Sequence, residues 1–370
     1  MSTPDEVLGI ACLGVTHPHT SARTKTMMQT PGVRVVGAAD DHSVIVPFTE
    51  AFGIPRCSPD ELLGAPGVNA VLIHSKSEKM VDLSIAALEA GKAVLVEKPG
   101  GRDVADLDRL VEAVERTGGV CQVGYNFRYS PAVAMTQLVL AERWLGTVVQ
   151  ARLHGACSLN EAATSHLNQP DDMGGALFVI GCHVIDLMLH HFGLPDSVNA
   201  LAPRLPAAIP GDNREDVAGA IFCYPDRLIT VDFFSWDPLP WCETWQVDVY
   251  GTEGVLHAGP LPGRYEIYLS EPRGGYQAGW TRWQESSFPV PWAATPTAYS
   301  PELAEIANMS FFRREADAFL NAIRKQAEVT IPAAHARDIV RCIAACYESS
   351  ASGGAEVRIP PWPTHGVDQR

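Results

Sequence analysis

No run of about 18 apolar residues occurs in the 370-residue chain, so the sequence carries no membrane-spanning helix. Basic residues are scarce: 28 Lys and Arg stand against 43 Asp and Glu, and the formal net charge is −15. That balance argues against nucleic acid and anionic membrane as partners, because both reward basic patches. The opening residues, Met-Ser-Thr-Pro-Asp-Glu, have neither the positive charge nor the apolar core of a secretory signal. The nine cysteines are odd in number, scattered from Cys12 to Cys346, and form no C-x-x-C pair. They read as reduced thiols in a cytoplasm rather than as a disulfide framework. Long internal repeats, low-complexity tracts and single-sign charge blocks are also missing. Glycine is sparse where a phosphate loop would want it: after Gly14, the remaining places of a G-x-G-x-x-G spacing hold Thr16 and His19.

What is present is an ordinary globular composition, 46% hydrophobic and 19% charged, at a length that suits two domains. Four apolar residues from Ala93 to Val96 read as a strand buried on both faces, ending on Glu97-Lys98 and stopped by Pro99. In an open α/β sheet the carboxyl ends of strands line the ligand crevice. A lysine delivered there is a candidate for proton transfer and substrate gripping, because its pKa falls readily on desolvation. The local alternative is a plain surface Glu-Lys pair.

The surrounding pattern supports the crevice. Val7 to Gly14 is a first apolar strand, and Ser21 to Thr30 can be helical, with Thr16 or His17 at the N-cap and Pro18 at the first position. Backbone N–H groups at that helix start would make an anion site. Val33 to Asp40 is a second strand ending on an acid 26 residues after Gly14, near the spacing at which a carboxylate takes ribose hydroxyls. Asp40 capping the next helix is the competing role. Ser58-Pro59-Asp60-Glu61 has the form of a capping box, Val68 to Ile73 is a third strand, and Glu78 to Ala90 and Asp103 to Arg116 are helices closed by glycine. Strand–helix alternation with short connections predicts an α/β Rossmann domain, a doubly wound parallel sheet, over residues 1–127. Residues 128–370 read as an α+β domain with a large, mostly antiparallel open sheet. Its elements are a helix over Pro131–Ala141, a strand over Thr147–Leu153, strands near 218–224, 228–234 and 245–250, and helices over 311–323 and 333–350.

Five segments together resemble one family. They are Leu88-Glu-Ala-Gly-Lys-Ala-Val-Leu-Val-Glu-Lys-Pro99, Val123-Gly-Tyr-Asn126-Phe-Arg128-Tyr-Ser-Pro131, Gly174-Gly-Ala-Leu-Phe-Val-Ile-Gly-Cys-His183-Val-Ile-Asp186, Tyr250-Gly-Thr-Glu-Gly254 and Arg314-Glu315-Ala-Asp-Ala-Phe319. In this order they resemble the glucose–fructose oxidoreductase / inositol dehydrogenase / rhizopine-catabolism (Gfo/Idh/MocA) family of nicotinamide-dependent oxidoreductases. The resemblance implies a Rossmann domain for NAD, or NADP, and a second sheet for a polyhydroxylated small-molecule substrate and for homodimer or homotetramer contacts.

It also implies roles. Lys98 and His183 would be catalytic, His183 as general acid/base and Lys98 steadying the developing oxyanion. Gly14, Thr16, His17, His19, Asp40, Ser75, Glu97 and Asn126 would bind the cofactor. Tyr125, Arg128 and Asp186 would join Lys98 and His183 around the substrate. A carboxylate at Asp40 favours NAD, since it would repel a 2′-phosphate. Where related sequences carry an acid one helical turn before the histidine, this chain has Val179; Glu161, Asp171 or Asp172 would have to replace it. No metal is expected: His183, Asp186 and His190 share a helical face, yet nothing supplies further ligands at a recognisable spacing. Alternatives on the same fold are a sugar oxidoreductase or glycoside-cleaving enzyme with tightly held cofactor, and a non-catalytic ligand-sensing regulator. The dense tryptophans at 236, 241, 245, 280, 283 and 292 suit sheet packing or a subunit interface better than sugar stacking.

Overall fold

The apolar runs of the first half form five parallel strands: β1 (Leu8–Val15), β2 (Val33–Ala39), β3 (Ala70–His74), β4 (Ala93–Glu97) and β5 (Cys121–Gly124). The computed structural model describes residues 7–17, 19–157, 175–204, 215–235, 244–261, 263–284 and 310–360. Every residue of β1, β3, β4 and β5 is buried, as expected of strands covered on both faces. The strand order is β2-β1-β3-β4-β5. The chain changes direction across the sheet between β1 and β3, and the crevice opens at the carboxyl ends there.

The connecting helices are α1 (His19–Met28), α2 (Ile45–Phe52), α3 (Pro59–Gly64), α4 (Ser77–Glu89) and α5 (Val104–Thr117). α3 begins with the capping box its sequence predicts: Glu61 N–H donates to Ser58 Oγ at 3.2 Å and Ser58 N–H to Glu61 Oε2 at 2.7 Å. α1 is the unusual one. Thr20, Ser21, Arg23, Thr24 and Thr26 are all buried, so the helix has no apolar stripe and is held by polar contacts.

Beyond a 3₁₀ turn at Asn126–Tyr129, α6 covers Pro131–Ala141 as expected, with Ser130 as its cap. A π-helical turn at Leu177–Gly181 then runs into α7 (Cys182–Phe192). The second sheet contains β6 (Val148–Ala156), β7 (Ser197–Leu201), β8 (Val217–Cys223), β9 (Leu228–Phe234), β10 (Gln246–Gly251), β11 (Gly254–Gly259), β12 (Arg264–Leu269), β13 (Gly279–Gln284) and β14 (Val357–Arg358). Its order is β13-β12-β11-β10-β6-β9-β8-β7-β14, and every neighbouring pair is antiparallel except β6 with β9. Ile229, Val231 and Phe233 alternate inward along β9, the signature of one covered and one open face.

Two last helices close the chain, α8 (Ser310–Ile323) and α9 (Ala333–Ala351). α8 returns to the first sheet. Ala316, Phe319 and Leu320 pack with Leu8, Ile10, Leu72 and Leu95, each large side chain contributing roughly 1.5–3 kcal/mol on burial. The first sheet is thus completed by residues some 200 positions beyond the point where the chain leaves it. Among the described residues no helix is long and apolar enough to cross a membrane. Trp245 is a core residue, Trp280 and Trp283 stand exposed on β13, and Trp236, Trp241 and Trp292 lie outside the described residues.

Candidate active site

The loop between β1 and α1 turns at Gly14, which has a φ of +78°; a Cβ there would lie 2.6 Å from the Ser75 Cβ. Gly14 therefore lets the β1 loop touch the segment after β3. Beyond it, the backbone donors expected to face an anion are spent inside the protein. Val15 N–H donates to Asp40 Oδ2 at 2.6 Å, and the N–H groups of Thr16 and His17 both donate to the His74 carbonyl, at 3.1 and 3.2 Å. His19 N–H donates to His17 Nδ1 at 3.1 Å. The open row of amides that glycine-rich loops present is not reproduced, because imidazole and carbonyl acceptors occupy it. Pro18 lies outside the described residues. Gly14, Asp40 and Ser75 line one cleft of about 520 Å³ together with Asp41, Arg56 and Lys79. Asp40 also accepts from His42 N–H at 2.8 Å, so it ties both the β1 loop and the start of the following turn to the end of β2.

Glu97 at the end of β4 was expected at the cofactor. The structure instead buries its carboxylate completely and surrounds it with protein donors. Arg23 Nη1 donates to Glu97 Oε2, His19 Nδ1 lies 3.2 Å from the same oxygen, and His17 Nε2 is 3.6 Å from Oε1. Burial alone would raise the Glu97 pKa, but Arg23, His17 and His19 outweigh it and hold the carboxyl well below its ordinary range. Arg23 also forks onto Glu315 of α8, Nε to Oε2 at 2.6 Å and Nη2 to Oε1 at 2.9 Å. His17, His19 and Glu97 offer donor atoms within 4.8 Å of one another, a set that suits a metal ion. Arg23 already neutralises Glu97 and Lys98 follows it in the chain, so a dication would join two cations in a buried space. Hydrogen bonding among these residues accounts for the cluster without an ion.

One residue further on, Lys98 is only 3% exposed, and its ammonium donates to the Val179 carbonyl. The π-helical turn thus offers a backbone oxygen at the position where an acid was missed. Glu161, Asp171 and Asp172, the suggested replacements, lie outside the described residues. His183 stands one turn further along, 2% exposed. Its ring stacks on Phe127 with centroids 4.5 Å apart and meets the edge of Tyr125 at 5.6 Å, and Trp245 closes the wall at 6.2 Å. Burial is the main cause, and the Lys98 charge the second, that keeps the His183 pKa well below 6.5. The imidazole is neutral at physiological pH. Three buried polar atoms here, His183 Nδ1, Tyr125 Oη and Asn126 Oδ1, have no hydrogen-bond partner within the protein. Orphaned groups of this kind call for a bound polar molecule. Together with the cleft of about 520 Å³ at the β1–β3 switch, they make the residues present a fit for a dinucleotide and a polar substrate.

Arg128 and Asp186, expected around the substrate, are paired with each other. Arg128 Nη2 donates to Asp186 Oδ1 at 2.7 Å and Nε to both oxygens at 3.1 Å, while His335 Nε2 of α9 lies 3.0 Å from Oδ1. Burial would raise the Asp186 pKa, yet Arg128 and His335 hold it at about 2. His191, also on α7, turns to Gln137 of α6 at 3.1 Å. Sequence reasoning missed Arg23, Phe127, Trp245, Glu315 and His335. Glu315 and Phe127 sat inside recognised segments, Trp245 was read only as sheet packing or interface, and nothing local marked Arg23 or His335.

Two models of one family match the chain, "Oxidoreductase family, NAD-binding Rossmann fold" over residues 8–125 and "GFO/IDH/MocA C-terminal domain" over residues 133–257. Among curated proteins the chain is similar to D-apiose dehydrogenase of Paraburkholderia graminis, 27% identical over 274 residues covering 72% of this chain and 69% of that one. It is similar to levoglucosan dehydrogenase of Pseudarthrobacter phenanthrenivorans, 27% identical over 175 residues, 46% of this chain and 45% of that one. It is 33% identical over 131 residues to scyllo-inositol 2-dehydrogenase (NAD(+)) of Bacillus subtilis, 35% of this chain and 37% of that one. In these last two cases the match spans less than half of the relative. Among solved structures, levoglucosan dehydrogenase in complex with NADH superposes with a TM-score of 0.79 at 20% identity, covering 95% of this chain and 99% of that one. An oxidoreductase from Agrobacterium radiobacter in complex with NAD+, L-tartaric acid and magnesium gives 0.79 at 18% identity, covering 95% and 98%. At these identities the structural likeness speaks for the fold.

Proposed function

Because the chain belongs to the Gfo/Idh/MocA family of NAD-binding oxidoreductases, we propose that it interconverts a secondary alcohol and its ketone in a sugar, cyclitol or related polyhydroxylated compound. The observation that carries this reading is a neutral, buried imidazole beside a buried ammonium: His183 next to Lys98 at the end of β4. A neutral His183 takes the hydroxyl proton in the oxidative direction and returns it in the reductive one. Lys98 holds the oxygen from which the proton leaves and stabilises its developing negative charge, in a space from which Phe127, Tyr125 and Trp245 exclude water. The nicotinamide, when bound, accepts or supplies the hydride. Gly14, Asp40 and Ser75 hold the adenosine end in the cleft they line, and the orphaned Asn126 Oδ1 is a candidate contact further along the cofactor. Glu97 acts through His17, His19 and Arg23 rather than by contact. The named dehydrogenases to which the chain is similar act on sugars and a cyclitol, which supports the substrate class.

The test is a panel of sugars, sugar acids and inositols incubated with NAD⁺, with NADH formation as readout. Turnover within one substrate class is expected. Silence across the panel from a protein that binds NADH would overturn the dehydrogenase reading in favour of a regulator or an enzyme with tightly held cofactor.

Asp40, which lines the cleft at the end of β2, supports NAD as the cofactor, since a carboxylate there would repel a 2′-phosphate. Asp40→Ala should weaken NAD binding about tenfold and narrow its preference over NADP, measured by titrating both cofactors; an unchanged ratio would refute the assignment. The acid limb of kcat/KM for oxidation should lie well below pH 6.5, because His183 protonates only there. A limb centred at 6.5 in a pH profile would remove His183 as the base. The open face of the second sheet, with Ile221, Leu228, Tyr268 and Trp280 exposed, is where a second copy docks, and chromatography should show a mass above 39.9 kDa.

A further inference from the structure

Arg23 touches the carboxyl ends of three adjacent strands. Its Nη1 reaches Glu97 at the end of β4 and lies 3.3 Å from His74 Nε2 at the end of β3, and its Nη2 donates to the Gly124 carbonyl at the end of β5 at 3.1 Å. The residues that follow those three ends are Ser75, Lys98 and the Tyr125-Asn126 pair, every one a candidate site residue. The guanidinium is 2% exposed and is held from the far side by the bidentate pair with Glu315, while Phe312 of the same helix lies under it at 5.7 Å. Gly124 is needed for this arrangement, since a Cβ there would collide with Arg23 Nη2.

We propose that Arg23, locked by Glu315 of α8, is the positioning residue that fixes Lys98 and its neighbours relative to one another at the crevice. The planar fork suits the task, because one rigid group with five donors can satisfy acceptors from three strand ends and one helix at once. Lysine at this place would offer a single point charge and could not span them. α8 thereby takes part in the site without reaching it: a helix near the end of the chain sets the geometry of strand ends formed by its first third. This inference uses the functional reading only in taking Lys98 as the residue that matters.

Arg23→Ala leaves Glu97 and Glu315 buried without a counter-charge and need not fold, so the test uses gentler changes. Glu315→Gln keeps size but turns an amide NH₂ against the Arg23 donors and breaks the fork. Gly124→Ala keeps every charge and displaces the guanidinium by one methyl group. The chain has six lysines, so protein labelled with ¹³C at lysine Cε gives a short, assignable spectrum. In both variants the Lys98 signal should move by more than its line width, while that of Lys92, held by the Ala65 and Val68 carbonyls, stays in place. Leu320→Ala, on the same helix but in the hydrophobic core, should lower the melting temperature without moving the Lys98 signal. A Lys98 signal unmoved in Glu315→Gln and Gly124→Ala, or moved equally by Leu320→Ala, would overturn the proposal. The measurement needs neither cofactor nor substrate, so its outcome and that of the substrate panel are separate.

Discussion

Lys98→Met should lower turnover by about 10²–10³-fold while leaving the melting temperature within a few degrees of the parent's. The size of the loss follows from where the ammonium stands. It is the cation at the carboxyl end of β4, buried to 3% exposure beside a neutral imidazole, so its field on a developing alkoxide is weakly screened by water. The small effect on stability follows from its partner. Lys98 donates to the Val179 carbonyl, and a single carbonyl left without its donor costs about 1–3 kcal/mol. Against this stands the relief of removing a buried charge, and methionine fills the same length with a flexible apolar chain. A second signature separates this from general damage. Lys98 helps to depress the His183 pKa, so the acid limb of the residual activity should move to higher pH in the variant. Single-turnover kinetics over a pH series with the preferred substrate would read both effects. Turnover near the wild-type rate, or an acid limb that stays put, would remove Lys98 from the mechanism.

The strand that ends just before Lys98 was legible because four consecutive apolar residues bounded by Gly91 and Pro99 leave few alternatives to a short buried strand. The helix at Pro131–Ala141 and the capping box at Ser58 were legible for the same kind of reason: proline at a first position and a serine three residues before a glutamate act locally. The polar cluster under the crevice was not. α1 buries six polar side chains, so it shows none of the apolar periodicity by which a packed helix is recognised. Its hub, Arg23, finds Glu315 at a separation of 292 residues, and no local pattern encodes such a pair. The β1 loop illustrates a subtler limit. The helix start after Gly14 signalled an anion site, but which acceptor each N–H would find depended on His17 and on the His74 carbonyl, contacts fixed only in three dimensions.

Asp186→Asn should cost about 3–5 kcal/mol of stability, the penalty for removing one partner of a buried ion pair. Sequence resemblance placed Asp186 among substrate contacts, which would predict a raised KM and an unchanged fold. The structure argues for the opposite result. Asp186 is fully buried, receives three hydrogen bonds from Arg128, has His335 Nε2 3.0 Å from Oδ1, and thereby joins α7, the turn after β5 and α9. Without its charge, Arg128 remains desolvated with no counter-ion. The sign of the pH dependence is fixed by the depressed pKa. A carboxyl held at about 2 in the folded state, against an ordinary value of 3.8, contributes its full stabilisation above pH 3.8 and loses it as the pH falls toward 2. The gap between wild type and Asp186→Asn, read as urea midpoints, should therefore be constant at neutral pH and close below pH 3.8. The double variant Arg128→Met/Asp186→Leu should recover most of the loss, because an apolar pair of similar volume carries no desolvation cost, and His335, with a side chain 21% exposed, can turn to water. If Asp186→Asn instead melts like the wild type and only its KM rises, the pair is a substrate contact and the network has been misread.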